Sequence, residues 1–89
     1  MSAFLRGWVL NKLKRYRYIG GKHTDINNVR KGADPKNYSE INDIIQDLIK
    51  SGNILIKTTS YGKHVSLNPR LIKDIDDFIQ KSLTEVTFR

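Results

Sequence analysis

Cysteine is absent from this 89-residue chain, so disulfides, thiolate metal sites and cysteine nucleophiles are all excluded. No apolar run approaches the roughly 18–20 residues of a membrane-spanning helix. The opening "MSAFLRGWVL" has too short an apolar stretch, interrupted by Arg6, to serve as a signal peptide, and a cytoplasmic location is expected. No linker composition and no low-complexity run divides the chain. One domain is therefore expected over residues 1–83, with residues 84–89 as a C-terminal tail. Acids are scarce as well, at nine Asp and Glu against sixteen Lys and Arg. Without covalent staples, a domain this small has to rely on well-packed helices or on a partner subunit.

What the chain does have is positive charge. A net +7 at this size points to a polyanionic partner. The charge is segregated: residues 1–33 hold eight Lys and Arg against the single acid Asp25, and residues 53–70 hold three with no acid. Residues 34–52 and 71–89 are slightly acidic.

Hydrophobic spacing gives the elements. Leu5, Trp8, Val9, Leu13 and Tyr16 recur at helical spacing over residues 3–17, and Gly20-Gly21 break that first helix. Tyr18 and Ile19 can form a very short strand. Thr24 reads as an N-cap with Asp25 in the first turn of a short second helix, "DINNVRKG", which turns Ile26 and Val29 inward and stops at Gly32. Asp34-Pro35 opens a third helix with Ile41, Ile44, Ile45, Leu48 and Ile49 on one face. "NILIKTTSYGKHVSLNP" then changes period and predicts a β-hairpin turning near Ser60-Tyr61-Gly62. Ile54, Ile56, Val65 and Leu67 are expected to face the core, and Lys57 and Thr59 water. Asn68-Pro69 caps a last helix through Leu71, Ile72, Ile75, Phe78, Ile79 and Leu83.

The tripeptide Gly-Lys-His occurs twice, at Gly21-Lys22-His23 and Gly62-Lys63-His64, once in each basic block, and it holds both histidines of the chain. Two histidines without cysteine are too few for a metal, which takes three or four ligands. The flanks "GGKHTDIN" and "SYGKHVSL" share nothing beyond the tripeptide, which argues against a repeat. The remaining reading is two glycine-permitted basic loops on one anion-binding face. Each histidine has a plainer alternative, a hydrogen bond to a neighbouring loop carbonyl.

Taken in order, "GGKHTDINNVRKG" before the third helix, "LIKSGNILIK" at the hairpin entry and "TSYGKHVSLNPR" across its turn resemble the winged-helix family. The likeness is greatest to the small stand-alone members common in archaea. The resemblance implies an α+β winged helix-turn-helix fold: a three-helix core, a two-stranded wing and a C-terminal helix. It also implies a nucleic-acid-binding role, with duplex DNA favoured over RNA and a transcription regulator as the leading assignment.

On that footing the loop carrying Lys22, His23 and Thr24 and the wing carrying Lys57, Tyr61, Lys63 and His64 approach the sugar-phosphate backbone. The third helix brings Lys36, Asn37 and Tyr38 to the duplex. Tyr61 either stacks on a sugar or base or packs on its own hairpin. Arg15, Arg17, Arg30 and Lys31, near the ends of the first two helices, extend the footprint. Glu40, Asp43 and Asp47 along the third helix oppose deep insertion, since carboxylates are repelled by phosphate.

A different class of role is a small accessory subunit, docking through the acidic helices on a larger replication, transcription or ribosomal assembly. The last helix either packs on the core or pairs with its copy in a homodimer. Trp8 lies on the apolar stripe and is expected in the core. No spacing supports catalysis: Asp76 and Asp77 do not converge, and "GGKHT" lacks the phosphate-loop pattern. No enzyme activity, cofactor or metal is expected.

Overall fold

The computed structural model describes the backbone over residues 2–87 and side chains over residues 2–82. It is an α+β fold with the order α1 (Ala3–Arg15), β1 (Thr24–Asp25), α2 (Tyr38–Lys50), β2 (Ile54–Thr59), β3 (Gly62–Leu67) and α3 (Ile72–Thr87). The three strands form one antiparallel sheet in the order β1-β3-β2.

Ser2 starts α1 by accepting the Leu5 N–H on its hydroxyl at 3.2 Å. Val9, Leu10 and Leu13 are buried, with Leu5 and Trp8 packed half-buried beside them. Tyr16, expected inward, is 53% exposed because the helix has already ended. The glycines at 20 and 21 do not stop it. Arg17 does, in a left-handed conformation with φ 60°. Its N–H donates to the Lys14 carbonyl and that of Tyr18 to the Leu13 carbonyl, both at 2.9 Å, which satisfies carbonyls the helix leaves open.

The expected second helix is not there. Thr24 and Asp25 form a strand against Val65 and His64, and only one 3-10 turn, Ile26–Asn28, follows before a series of turns to Gly32. Local side chains hold the backbone in that form. Asp25 accepts the Asn27 N–H at 2.8 Å, and Asn28 Nδ2 donates to Thr24 Oγ1 at 2.9 Å. Val29 is nevertheless buried and Ile26 half-buried, so the inward positions keep their role.

Asp34 accepts the Lys36 N–H at 3.1 Å ahead of the 3-10 turn Pro35–Asn37, which runs into α2. Ile41, Ile44, Ile45 and Leu48 of α2 are buried and Ile49 is half-buried, as the periodicity predicts. Each of the four fully buried side chains contributes about 1.5–3 kcal/mol by leaving water.

The hairpin forms with Ile54 opposite Leu67 and Thr59 opposite Gly62, leaving Ser60 and Tyr61 as the turn. The sheet has a third strand, however, so the expected two-stranded wing is incomplete: β1 was concealed in a stretch that reads as a helix start. Ile19 adds one isolated parallel bridge to Leu67. Ile54, Val65 and Leu67 are buried, but Ile56 is 43% exposed, since β2 is the outer edge of the sheet and nothing covers it there.

Asn68 accepts the Arg70 N–H at 3.0 Å and the 3-10 turn Pro69–Leu71 leads into α3, which buries Ile75 and Ile79. Helix α3 continues past Leu83 to Thr87; the Leu83 side chain and residues 88–89 lie outside what is described. Among the described residues, no helix is long and apolar enough to cross a membrane.

Candidate nucleic-acid interface

The two Gly-Lys-His loops, forty-one residues apart in sequence, touch through their histidines. His23 Nδ1 lies 2.8 Å from His64 Nδ1, with ring centroids 4.8 Å apart and planes at 72°. Strand pairing causes this. Thr24 pairs with Val65 and Asp25 with His64, so His23, one step before β1, falls diagonally across from His64 on the sheet face away from the helices. Lys57 lies directly opposite His64 on β2 and shares that face. Gly20 and Gly21 pass over it, held by the Ser66 hydroxyl donating to the Gly20 carbonyl at 2.9 Å. A concavity of about 320 Å³ results, lined by His23, His64, Lys57, Leu55, Ser66 and both glycines among others.

Thr24 does not belong to this surface. It is buried, and its hydroxyl is occupied by Asn28, because its β1 position faces the core beside Val65. Lys22 is exposed with its ammonium 5.6 Å from the Tyr18 ring centroid. Lys63 is exposed on the hairpin, and Tyr61 at its tip is 91% exposed, free of the strands it connects.

A second group gathers around the N-terminal part of α2. The Arg30 guanidinium lies 5.0 Å from the Tyr38 ring centroid. Next to it, Asn27, Arg30, Asn42 and Gln46 line a groove of about 280 Å³ floored by Ile26 and Ile45. Asn42 and Gln46, together with Ser39, are exposed and were missed by the sequence reading, although their i, i+3, i+7 spacing opposite the isoleucines was a usable signal. Lys36 stands exposed 3.8 Å from Asp34, and Asn37 makes no capping bond.

The acids of α2 are partly spent inside the molecule. Asp47 accepts from Arg6 at 2.7 Å, and Glu40 accepts the Ser2 N–H at 2.8 Å. Both turn toward α1, with Asp47 still partly exposed beside Arg6, and Asp43 stands exposed on the stripe. On α3, Asp76 pairs with Lys14.

Arg15 and Lys31 line a third region with Trp8 and Tyr16, a pocket of about 280 Å³ beside Lys12. The Lys12 ammonium donates to the carbonyls of Asn28 and Lys31, tying the turn to α1. Burial, and then the neighbouring Lys31 charge, lowers the Lys12 ammonium from its ordinary value of 10.5. Arg17 is exposed just beyond. Among the described residues, no group of three or more His, Cys, Asp or Glu side chains is placed to hold a metal ion. Comparisons with protein-family models, with curated proteins and with solved structures find no significant match to this chain.

Proposed function

We propose that this chain is a winged-helix protein that binds nucleic acid, duplex DNA first, chiefly through backbone phosphates, in the manner of a small transcription regulator. The observation that carries the reading is the His23–His64 contact, which draws two separate basic loops into one surface. The strand order β1-β3-β2, with α2 between β1 and the hairpin, is compatible with a winged helix. In this reading the hairpin bearing Tyr61 and Lys63 is the wing.

Helix α2 suits the groove better than its sequence suggests. Internal pairing engages two of the three carboxylates that opposed insertion, Glu40 with the Ser2 N–H and Asp47 with the Arg6 guanidinium, which offsets the Asp47 charge. Asn42 and Gln46 offer the amide groups that pair with base edges, and Arg30 and Lys36 supply phosphate contacts. The accessory-subunit alternative keeps Asp43 on α2 and Asp74 and Asp77 on α3 as exposed acids for a protein partner.

The test is fluorescence anisotropy of a labelled random duplex across a salt series, with a structured RNA alongside. Neutralising four to six phosphates gives a slope of log affinity against log salt of about −4 to −5. Lys22→Ala/Lys57→Ala, which removes one exposed lysine from each loop's side of the histidine contact, should weaken binding and flatten that slope by about 2. Duplex affinity that survives this double substitution with the slope unchanged overturns the two-loop surface. Absence of duplex binding at low salt overturns the function.

A further inference from the structure

A hydrogen bond between two imidazole nitrogens needs a proton on one and a lone pair on the other. With both rings neutral, the donor ring of the His23–His64 pair holds its proton at Nδ1 and keeps a lone pair at Nε2. The acceptor ring holds its proton at Nε2. The pair therefore presents one donor and one acceptor to its surroundings. One added proton goes to the free Nε2 lone pair: the Nδ1–H···Nδ1 bond survives, both Nε2 atoms become donors, and the pair carries a single positive charge. A second proton could enter only at the accepting Nδ1 and would break the contact.

Both rings line the concavity of about 320 Å³ on the solvent face of the sheet, together with Lys57, and no carboxylate lines it. Asp25 on β1 and Lys57 on β2 are the charged residues directly opposite His64. The Asp25 carboxylate is engaged by the Asn27 N–H at 2.8 Å. Strand alternation sends Lys63 to the other face, and the Lys22 ammonium sits over Tyr18.

We infer that this concavity is a proton-coupled oxyanion site. It binds a backbone phosphate through the two Nε2–H donors and Lys57, with uptake of up to one proton by the histidine pair. The source of the phosphate rests on the nucleic-acid-binding reading; the site chemistry is the same for any tetrahedral oxyanion.

The experiment titrates sulfate, which does not itself change charge in this range, at several values between about pH 5.5 and 8, where imidazole does. Imidazole ¹⁵N resonances are followed, and the anisotropy titration of the random duplex is run at the same pH values. The expected result is that both ligands bind more tightly as pH falls, by up to about tenfold per pH unit for one proton taken up. His23→Gln/His64→Gln should lose that dependence. The solvent-facing Lys57→Met should weaken sulfate several-fold while keeping it, a check that does not disturb the histidine contact.

Sulfate binding that is independent of pH, or equal in the double glutamine variant, overturns the site. Duplex binding without pH dependence, beside pH-dependent sulfate binding, overturns the assignment of the anion to the backbone and leaves duplex binding standing. PH-dependent sulfate binding with no duplex binding at all supports the oxyanion site and overturns the proposed function.

Discussion

Arg6 on α1 holds the Asp47 carboxylate of α2 at 2.7 Å, turning it away from the exposed stripe that carries Asn42 and Gln46. The pair is partly exposed, so its own contribution to stability is small, about 0–1 kcal/mol. Its larger effect is on the charge that a duplex would meet. Arg6→Gln should leave the melting temperature within a few degrees and weaken duplex binding about 2–5-fold through the released carboxylate. Asp47→Asn in the same background should restore it. Anisotropy at fixed salt checks both.

The crossing of α1 and α3 depends on Gly7. A Cβ at that position would lie 2.9 Å from Ser82 Cβ and closer still to the Ser82 hydroxyl. Gly7→Ala should therefore destabilise by about 1–3 kcal/mol. For a domain of this size each kcal/mol lowers the melting temperature by about 4–8 °C. Ser82→Gly should recover part of the loss, which thermal denaturation of the single and double variants would reveal as non-additivity.

Arg17 occupies a left-handed position that glycine would take with less strain. Arg17→Gly should raise stability by about 1 kcal/mol in urea denaturation. If its guanidinium meets a phosphate, the same substitution should flatten the salt slope of duplex binding by about 1. An unchanged slope removes Arg17 from the interface.

Lys12 ties the turn carbonyls of Asn28 and Lys31 to α1, and burial with the Lys31 charge lowers its ammonium below 10.5. The folded chain thus holds this proton less tightly than the unfolded chain does. Between the lowered value and 10.5 the unfolded state binds more protons, so the Lys12 contribution to stability rises with pH there. Below that window the cost of the charged form is fully present. Lys12→Met should abolish the alkaline rise in a series of urea denaturations. It should also speed amide exchange over residues 28–33.

How much of this was legible beforehand varied along the chain. The isoleucine face of α2 was readable because its periodicity is strong and its entry and exit residues are local. The hairpin was readable from its change of period. The second helix misled because Thr24-Asp25 before Ile26 and Val29 carries helix-start chemistry, yet the backbone of those two residues is claimed by β3, some forty residues later in the chain. Ile56 misled because alternation assigns a face to a residue but not whether anything covers that face.

The basic character, the isoleucine-rich α2 and the hairpin follow from the sequence by itself, because charge, capping and short-range periodicity act between near neighbours. Tertiary structure alone decided that β1 joins β3, that His23 meets His64, and that Arg6 and the Ser2 N–H claim Asp47 and Glu40. Each of these pairs residues far apart in the chain. No local rule encodes such a pairing; it forms only once the helices have packed and the strands have settled their register.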